Sequence, residues 1–284
     1  MSTVPFTGDL ALSQDTPFLK ACYRDSALVA RWGLTTPAFL APMEGLTSEP
    51  IRRCFSRLGG IGVVCTEFVR VHNGTQFGDV KGARDEWLHD EIARGVLPTS
   101  KLSVQFMGDD PVKLAYAAAI AEEAGADFVD LNLGCPPKST GRACAGASML
   151  RPENFPIALA VIRAMSGAVK RIPMTVKLRM GWSRREDLLD LTQAIQGAGA
   201  SMVTIHGRTA EQKYSGVADW GMIGQAKSRL SIPVLVNGDI IRIADVETAL
   251  AQSGADGFMI GRGALRNPWL YRQVAETAAG PTPI

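Results

Sequence analysis

The stretch AGADFVDLNLGC (124–135) carries one full repeat of the pattern that decides the fold. A helix stops at a glycine, the usual way to end one in the left-handed region. Then comes a short run too apolar to alternate, and it closes on a polar tip. The same arrangement returns at Ala198-Gly199-Ala200-Ser201, before MVTIHGR (202–208), and at Ser253-Gly254-Ala255-Asp256, before GFMIGRG (257–263). Continuous apolar runs of this length suit parallel strands buried on both faces.

Working outward, eight such runs appear: PAFLAPM (37–43), GVVCTEF (62–68), LSVQFM (102–107), FVDLNLGC (128–135), MTVKLR (174–179), MVTIHGR (202–208), PVLVNGD (233–239) and GFMIGRG (257–263). Helical segments separate them, clearest at 111–124, 152–167, 184–198 and 242–252. Pro111 and Pro152 suit a first helical turn. Eight βα units predict a closed (β/α)8 TIM barrel, an α/β fold. An open doubly wound sheet is the alternative, disfavoured because no GxGxxG follows the first run. The domain reading is an N-terminal extension at 1–36, a barrel at 37–272 and a short remnant at 273–284. Phe18 to Trp32 reads as one helix. Residues 69–101 form a long link, of the kind that serves as a functional loop or small subdomain.

The bulk numbers agree with one large core. The chain has 284 residues, of which 46% are hydrophobic, and a barrel of about 250 residues accounts for most of it. The net charge of +2 argues neither for nor against a polyanionic partner. Five cysteines, at 22, 54, 65, 135 and 144, form no CxxC pair and no metal-like spacing with the three histidines. Their scatter fits a reducing cytoplasm. No signal peptide and no apolar run near the ~20 residues of a membrane span are visible. The chain is read as cytoplasmic and monomeric, with no metal and no membrane partner.

In a barrel of this type the reactive groups sit at the C-terminal ends of the strands. Those ends carry Pro42-Met43-Glu44, Thr66-Glu67, Gln105, Asn132 with Cys135, Lys177 with Arg179, His206 with Arg208, Asn237-Gly238-Asp239 and Gly261-Arg262-Gly263. A large ligand across the mouth would explain polar residues at all eight ends. Gly238, Gly261 and Gly263 follow the last two strands, where these barrels commonly bind phosphate; plain tight turns are the competing reading. Lys177 and Arg179 face the same way on a strand. Either they pair with an interior acid such as Glu67, or they meet the anionic edge of a reduced flavin, with Gln105 at its other edge. His206 is equally a structural hydrogen-bonder or a functional group. Cys135 could be a small apolar filler. Its place at a strand mouth before two prolines, with Lys138 nearby, suits a general acid, since a thiol of pKa ~8.5 keeps its proton at neutral pH.

The motifs APMEG (41–45), TEFVRV (66–71), VQFMG (104–108), DLNLGCPPK (130–138), VKLRMGW (176–182), TIHGRTAEQKYSGVADW (204–220), NGDI (237–240) and MIGRGALRNPWL (259–270) resemble the tRNA-dihydrouridine synthases. TEFVRV and HGRTxEQxY resemble the C-type bacterial enzymes, which act at tRNA position 16. The resemblance implies FMN, reduced by NADPH, passing hydride to C6 of a flipped-out uridine in tRNA, with Cys135 protonating C5. It implies that Pro42, Met43, Glu44 and Gln105 line the flavin, with Lys177 and His206 at its ring. Asn237, Gly238, Asp239, Gly261 and Arg262 would take the ribityl phosphate. Asn132, Lys138 and Arg179 would face the uridine. The family's C-terminal helical domain is expected to be largely absent, since thirteen residues, RQVAETAAGPTPI, follow Tyr271. Lys138, Arg142, Arg179, Arg208 and Lys213 are candidates for a basic patch toward RNA. Two alternatives are a flavin barrel acting on a free pyrimidine and a non-catalytic flavin- or RNA-binding barrel.

Overall fold

A computed structural model describes residues 16–71, 83–94, 97, 99–136 and 144–280. The strands are β1 Ala38–Leu40, β2 Val63–Cys65, β3 Val69–Val71, β4 Lys101–Gly108, β5 Phe128–Leu133, β6 Met174–Arg179, β7 Met202–His206, β8 Val234–Asn237 and β9 Gly257–Ile260. All pair in parallel, and the ring closes where β1 meets both β2, at Phe39↔Val63, and β9, at Ala38↔Phe258. The closed (β/α)8 barrel read from the sequence is therefore the fold.

The second expected strand, 62–68, is interrupted. β2 pairs with the start of β4 (Val63↔Lys101) and β3 with its end (Val69↔Phe106). Six steps on one side face five on the other, so one residue is extra and the strand bulges at Thr66–Phe68. The bulge aims Thr66 Oγ1 at the Gln105 N–H, which it accepts at 3.1 Å.

Period-two alternation sorts each strand into an outer and an inner face. The outward residues of β5, Val129, Leu131 and Leu133, join the large core under the helices. Inward residues form layers. The lowest is apolar: Phe39, Val63, Phe128, Met202, Leu235 and Met259 cluster together. The next is polar, with Gln105, Asp130 and Thr175 buried.

The segment 18–32 is two helices, Pro17–Arg24 and Ala27–Trp32, instead of one. The break falls at Asp25-Ser26, where the Ser26 hydroxyl caps the second helix by accepting from the Val29 N–H at 3.2 Å. The second helix covers the barrel floor. Leu28 is fully buried in the inner cluster, and the Trp32 ring stands edge-on to Phe128 at 5.3 Å. The first helix is held by Glu247, whose carboxylate accepts the Phe18 and Leu19 N–H groups at 3.1 and 2.7 Å. After β9 come two helices, Arg262–Arg266 and Leu270–Ala279.

Candidate functional site at the barrel mouth

Above the polar layer lies a cavity of about 730 Å³, within the usual range for a cofactor site. Pro42, Met43, Glu44, Asn132, Cys135, Lys177, Arg179, His206, Asn237, Gly238, Asp239, Gly261 and Arg262 all line it. Of the residues that the resemblance assigns to cofactor or substrate, two do not. Gln105 is fully buried below the cavity, and Lys138 lies outside the described residues.

Cys135 follows β5 by two residues, on a turn that the chain builds from its own side chains. Asn132 Oδ1 accepts the Gly134 and Cys135 N–H groups at 2.9 and 2.8 Å. The Cys135 carbonyl accepts from Ala147 N–H at 2.9 Å, and Arg179 Nε donates to the Gly134 carbonyl at 2.8 Å. Gly146 lets the next segment approach this turn. Its φ is +61°, and a Cβ there would sit 2.6 Å from the Cys135 oxygen. The thiol's residue is thus half-buried, on a fixed turn, at the cavity wall.

Lys177 Nζ donates to Asn237 Oδ1 at 3.1 Å, and Asn237 Nδ2 donates to the Met259 carbonyl at 2.8 Å. Glu67, the acid considered as a partner for the strand cations, instead accepts from the Gly45 N–H. Among the described residues neither Lys177 nor Arg179 forms an ion pair. Burial, and next the charge of Arg179, push the Lys177 ammonium down to about 8, while Asp130 below it pulls the other way. His206 is pushed down to about 2, first by burial and then by Lys177, Arg179, Arg208 and Arg262. It is a neutral imidazole at any physiological pH.

Arg179 and Arg208 are both 2% exposed, which settles what they do. Arg179 Nη1 donates to the carbonyls of Thr209 and Lys213. Arg208 donates to the carbonyls of Ser215 and Gly216 and pairs with Asp239 at 2.6 Å. Together they strap the loop 209–216 over the mouth. They are therefore not part of a surface basic patch; Lys213 is exposed, and Arg142 lies outside the described residues. The Asp239 carboxylate, used by Arg208 and the Ala218 N–H, is turned to the strap. Glu44 pairs with Arg70 at 3.1 Å.

Two residues of the site went unread in the sequence. Tyr214, on the strap, is exposed above the mouth, with Arg262 at 4.3 Å and Arg179 at 5.5 Å from its ring. Asp130 lies two positions before Asn132 on the same strand face, a period-two signal that a reading confined to strand ends passes over. A second hollow of about 670 Å³ lies beside the strap, lined by Arg184 and Arg185. Both already face carboxylates, Asp187 at 3.8 Å and Asp219 at 2.7 Å. No cluster of His, Cys, Asp or Glu that could hold a metal occurs among the described residues, and none of their helices is long and apolar enough to cross a membrane.

Fold and site together are a parallel barrel whose mouth holds a half-buried thiol beside Lys177, Arg179 and Arg262, cations with no ion-pair partner among the described residues. The comparisons name the family. Residues 39–283 match the family model described as dihydrouridine synthase, and the chain belongs to that family. It is 39% identical over 248 residues to "Probable tRNA-dihydrouridine synthase" of Rhodobacter capsulatus, covering 87% of this chain and 73% of that protein. It is 36% identical to "tRNA-dihydrouridine(16) synthase" of Aquipseudomonas alcaligenes (86% and 76% covered). It is 33% identical to "tRNA-dihydrouridine synthase B" of Pasteurella multocida (86% and 70% covered). Among solved structures, a 2-naphthoyl-CoA reductase complexed with 2-naphthoyl-CoA shares the fold, with a TM-score of 0.65 at 12% identity. That match covers 85% of this chain and 50% of the reductase, so this chain spans about half of its length.

Proposed function

We propose that this chain reduces a uridine of tRNA to 5,6-dihydrouridine in the cytoplasm, with Cys135 as the proton donor. The observation that carries the reading is the rigid turn that holds Cys135 at the wall of a cavity whose cations have no acidic partner among the described residues. Lys177 and Arg262 fit a flavin mononucleotide. An ammonium pushed down by burial and by Arg179 favours an anionic partner, and Arg262 has no ion-pair partner among the described residues. Lys177 would hold the ring edge, Pro42 and Met43 the wall beside it, and Gly238, Gly261 and Arg262 the phosphate. When bound and reduced by NADPH, such a flavin supplies the hydride that reaches C6 of the uracil ring.

The chain's own residues complete the addition. Cys135 gives its proton to C5, so the pyrimidine gains one hydride and one proton across the double bond. The resulting thiolate lies near Lys177 and Arg179, whose charges couple to it. That stabilises the thiolate until solvent returns the proton. His206, neutral, supplies a hydrogen bond without adding a further charge. Asn132 and Arg179 hold the turn, and the mouth admits a base only after it leaves its stack, at a cost of a few kcal/mol. The resemblance to the C-type enzymes points to position 16 of the D-loop.

The test uses purified protein reconstituted with FMN, NADPH and unmodified tRNA transcript. The wild type is expected to be yellow and to form dihydrouridine. Cys135→Ala is expected to keep the flavin spectrum and lose product formation by on the order of 100-fold or more. Full activity in that variant removes Cys135 as the acid. Turnover of free uracil or orotate with none on tRNA replaces the substrate assignment.

A further inference from the structure

Below the cavity runs a chain of side-chain hydrogen bonds that ends on the cysteine turn. Thr175 Oγ1 donates to Asp130 Oδ1 at 2.5 Å, and Gln105 Nε2 donates to Asp130 Oδ2 at 2.6 Å. Asn132 Nδ2 donates to Gln105 Oε1 at 2.8 Å, and Asn132 Oδ1 accepts the two turn N–H groups. The ends of this chain fix its direction. A backbone N–H only donates and Asp130 Oδ2 accepts. Each amide between them must therefore accept on its cysteine side and donate toward Asp130. Residues 105, 130 and 132 are all buried, so no bulk water competes for these links.

We propose that Asp130 is a positioning residue for the proton-donating turn: its carboxylate sets the orientation of Gln105 and Asn132, and through them the seat of Cys135. This rests on the reading of Cys135 as the acid. Burial pushes the Asp130 carboxyl up, while the Gln105 and Thr175 hydrogen bonds and the Lys177 charge oppose it. The relay tolerates either outcome, because a proton on Oδ1 leaves Oδ2 an acceptor. Without an acceptor at position 130, the Gln105 amide is released to turn over. Asn132 can then follow, presenting Nδ2 to N–H groups that it cannot receive.

Two variants with the same number of side-chain heavy atoms as aspartate separate this role from packing. Asp130→Asn can keep the relay: Oδ1 accepts from Gln105 while Nδ2 donates to Thr175 Oγ1, whose own proton goes to the Val129 carbonyl 3.3 Å away. Asp130→Leu cannot. In flavin-loaded protein, Asp130→Leu is expected to lower kcat on the order of 10- to 100-fold, the scale for a misplaced reacting group, with KM for tRNA little changed. Asp130→Asn is expected to keep most of the rate. Iodoacetamide labelling of Cys135, followed by peptide mass spectrometry, reads the turn without any catalytic assay. Its rate is expected to change in Asp130→Leu and not in Asp130→Asn. Normal kcat and labelling in the leucine variant overturn the proposal, as does equal damage in both. If Asp130→Leu fails to fold, Gln105→Met cuts the next link and is expected to alter the labelling in the same way; unchanged labelling overturns the relay. Activity persisting in Cys135→Ala would instead remove the acid assignment, leaving the labelling result to stand alone.

Discussion

Lys177 shows how the mouth treats a charge that it has not paired. Its ordinary value of 10.5 falls to about 8 in the fold. Between these values the unfolded chain binds a proton that the folded chain does not, so stability rises with pH across that window. Below about 8 both states are charged and the folded state carries the full cost of burial. In flavin-free protein, the unfolding free energy from urea titrations is therefore expected to climb between about pH 8 and 10.5, and Lys177→Met to flatten that climb. A slope that survives the substitution would assign it to another group. The site residues were legible to the extent that they stood at strand ends: Cys135, Lys177, His206 and Asn237 could be picked from position alone. Asp130 could not, because its part depends on which way two amides point. Arg179 and Arg208 were read as cations facing a ligand. Their guanidiniums also hold backbone carbonyls of the strap, a contact between residues up to 34 positions apart that no local pattern reports.

The elements were legible in order and type, and their ends were not. The run 128–135 yields a strand of Phe128–Leu133, and 257–263 yields Gly257–Ile260. At each rim the last residues leave the ladder to face the cavity, although they keep strand-like composition. The bulge at Thr66–Phe68 was hidden for a related reason: no local pattern in VVCTEFVRV (63–71) marks the extra residue, and only the shift in register against β4 reveals it. The five-residue helix Arg262–Arg266 depends on close approach. A Cβ at Gly263 would sit 2.1 Å from the Ile240 carbonyl oxygen, a backbone atom that cannot step aside cheaply. Gly263→Ala is expected to move this helix off the loop after β8 and to weaken flavin retention on the order of 10-fold, about 1.4 kcal/mol. Fluorescence titration with FMN checks this. Unchanged affinity would mean that the helix does not form the phosphate end of the site.

For the whole molecule the charge balance becomes informative once burial is known. A net charge of +2 leaves any grip on RNA to local clusters. Of the five cations considered for such a cluster, Arg179 and Arg208 are buried and bonded to the strap. At most three, Lys138, Arg142 and Lys213, are left to displace counterions. The logarithm of the association constant for tRNA should then fall against log salt concentration with a slope of about −2 to −3. Lys213→Gln should make that slope shallower by about one, as for a single phosphate contact. Arg208→Gln should leave the slope unchanged and lower the rate instead, because it unties the strap that carries Tyr214 over the mouth. Filter binding across a salt series checks all three proteins together. A wild-type slope of about −5 or steeper would place the RNA on cations outside this set, and a slope change in Arg208→Gln would show that its guanidinium reaches a phosphate after all.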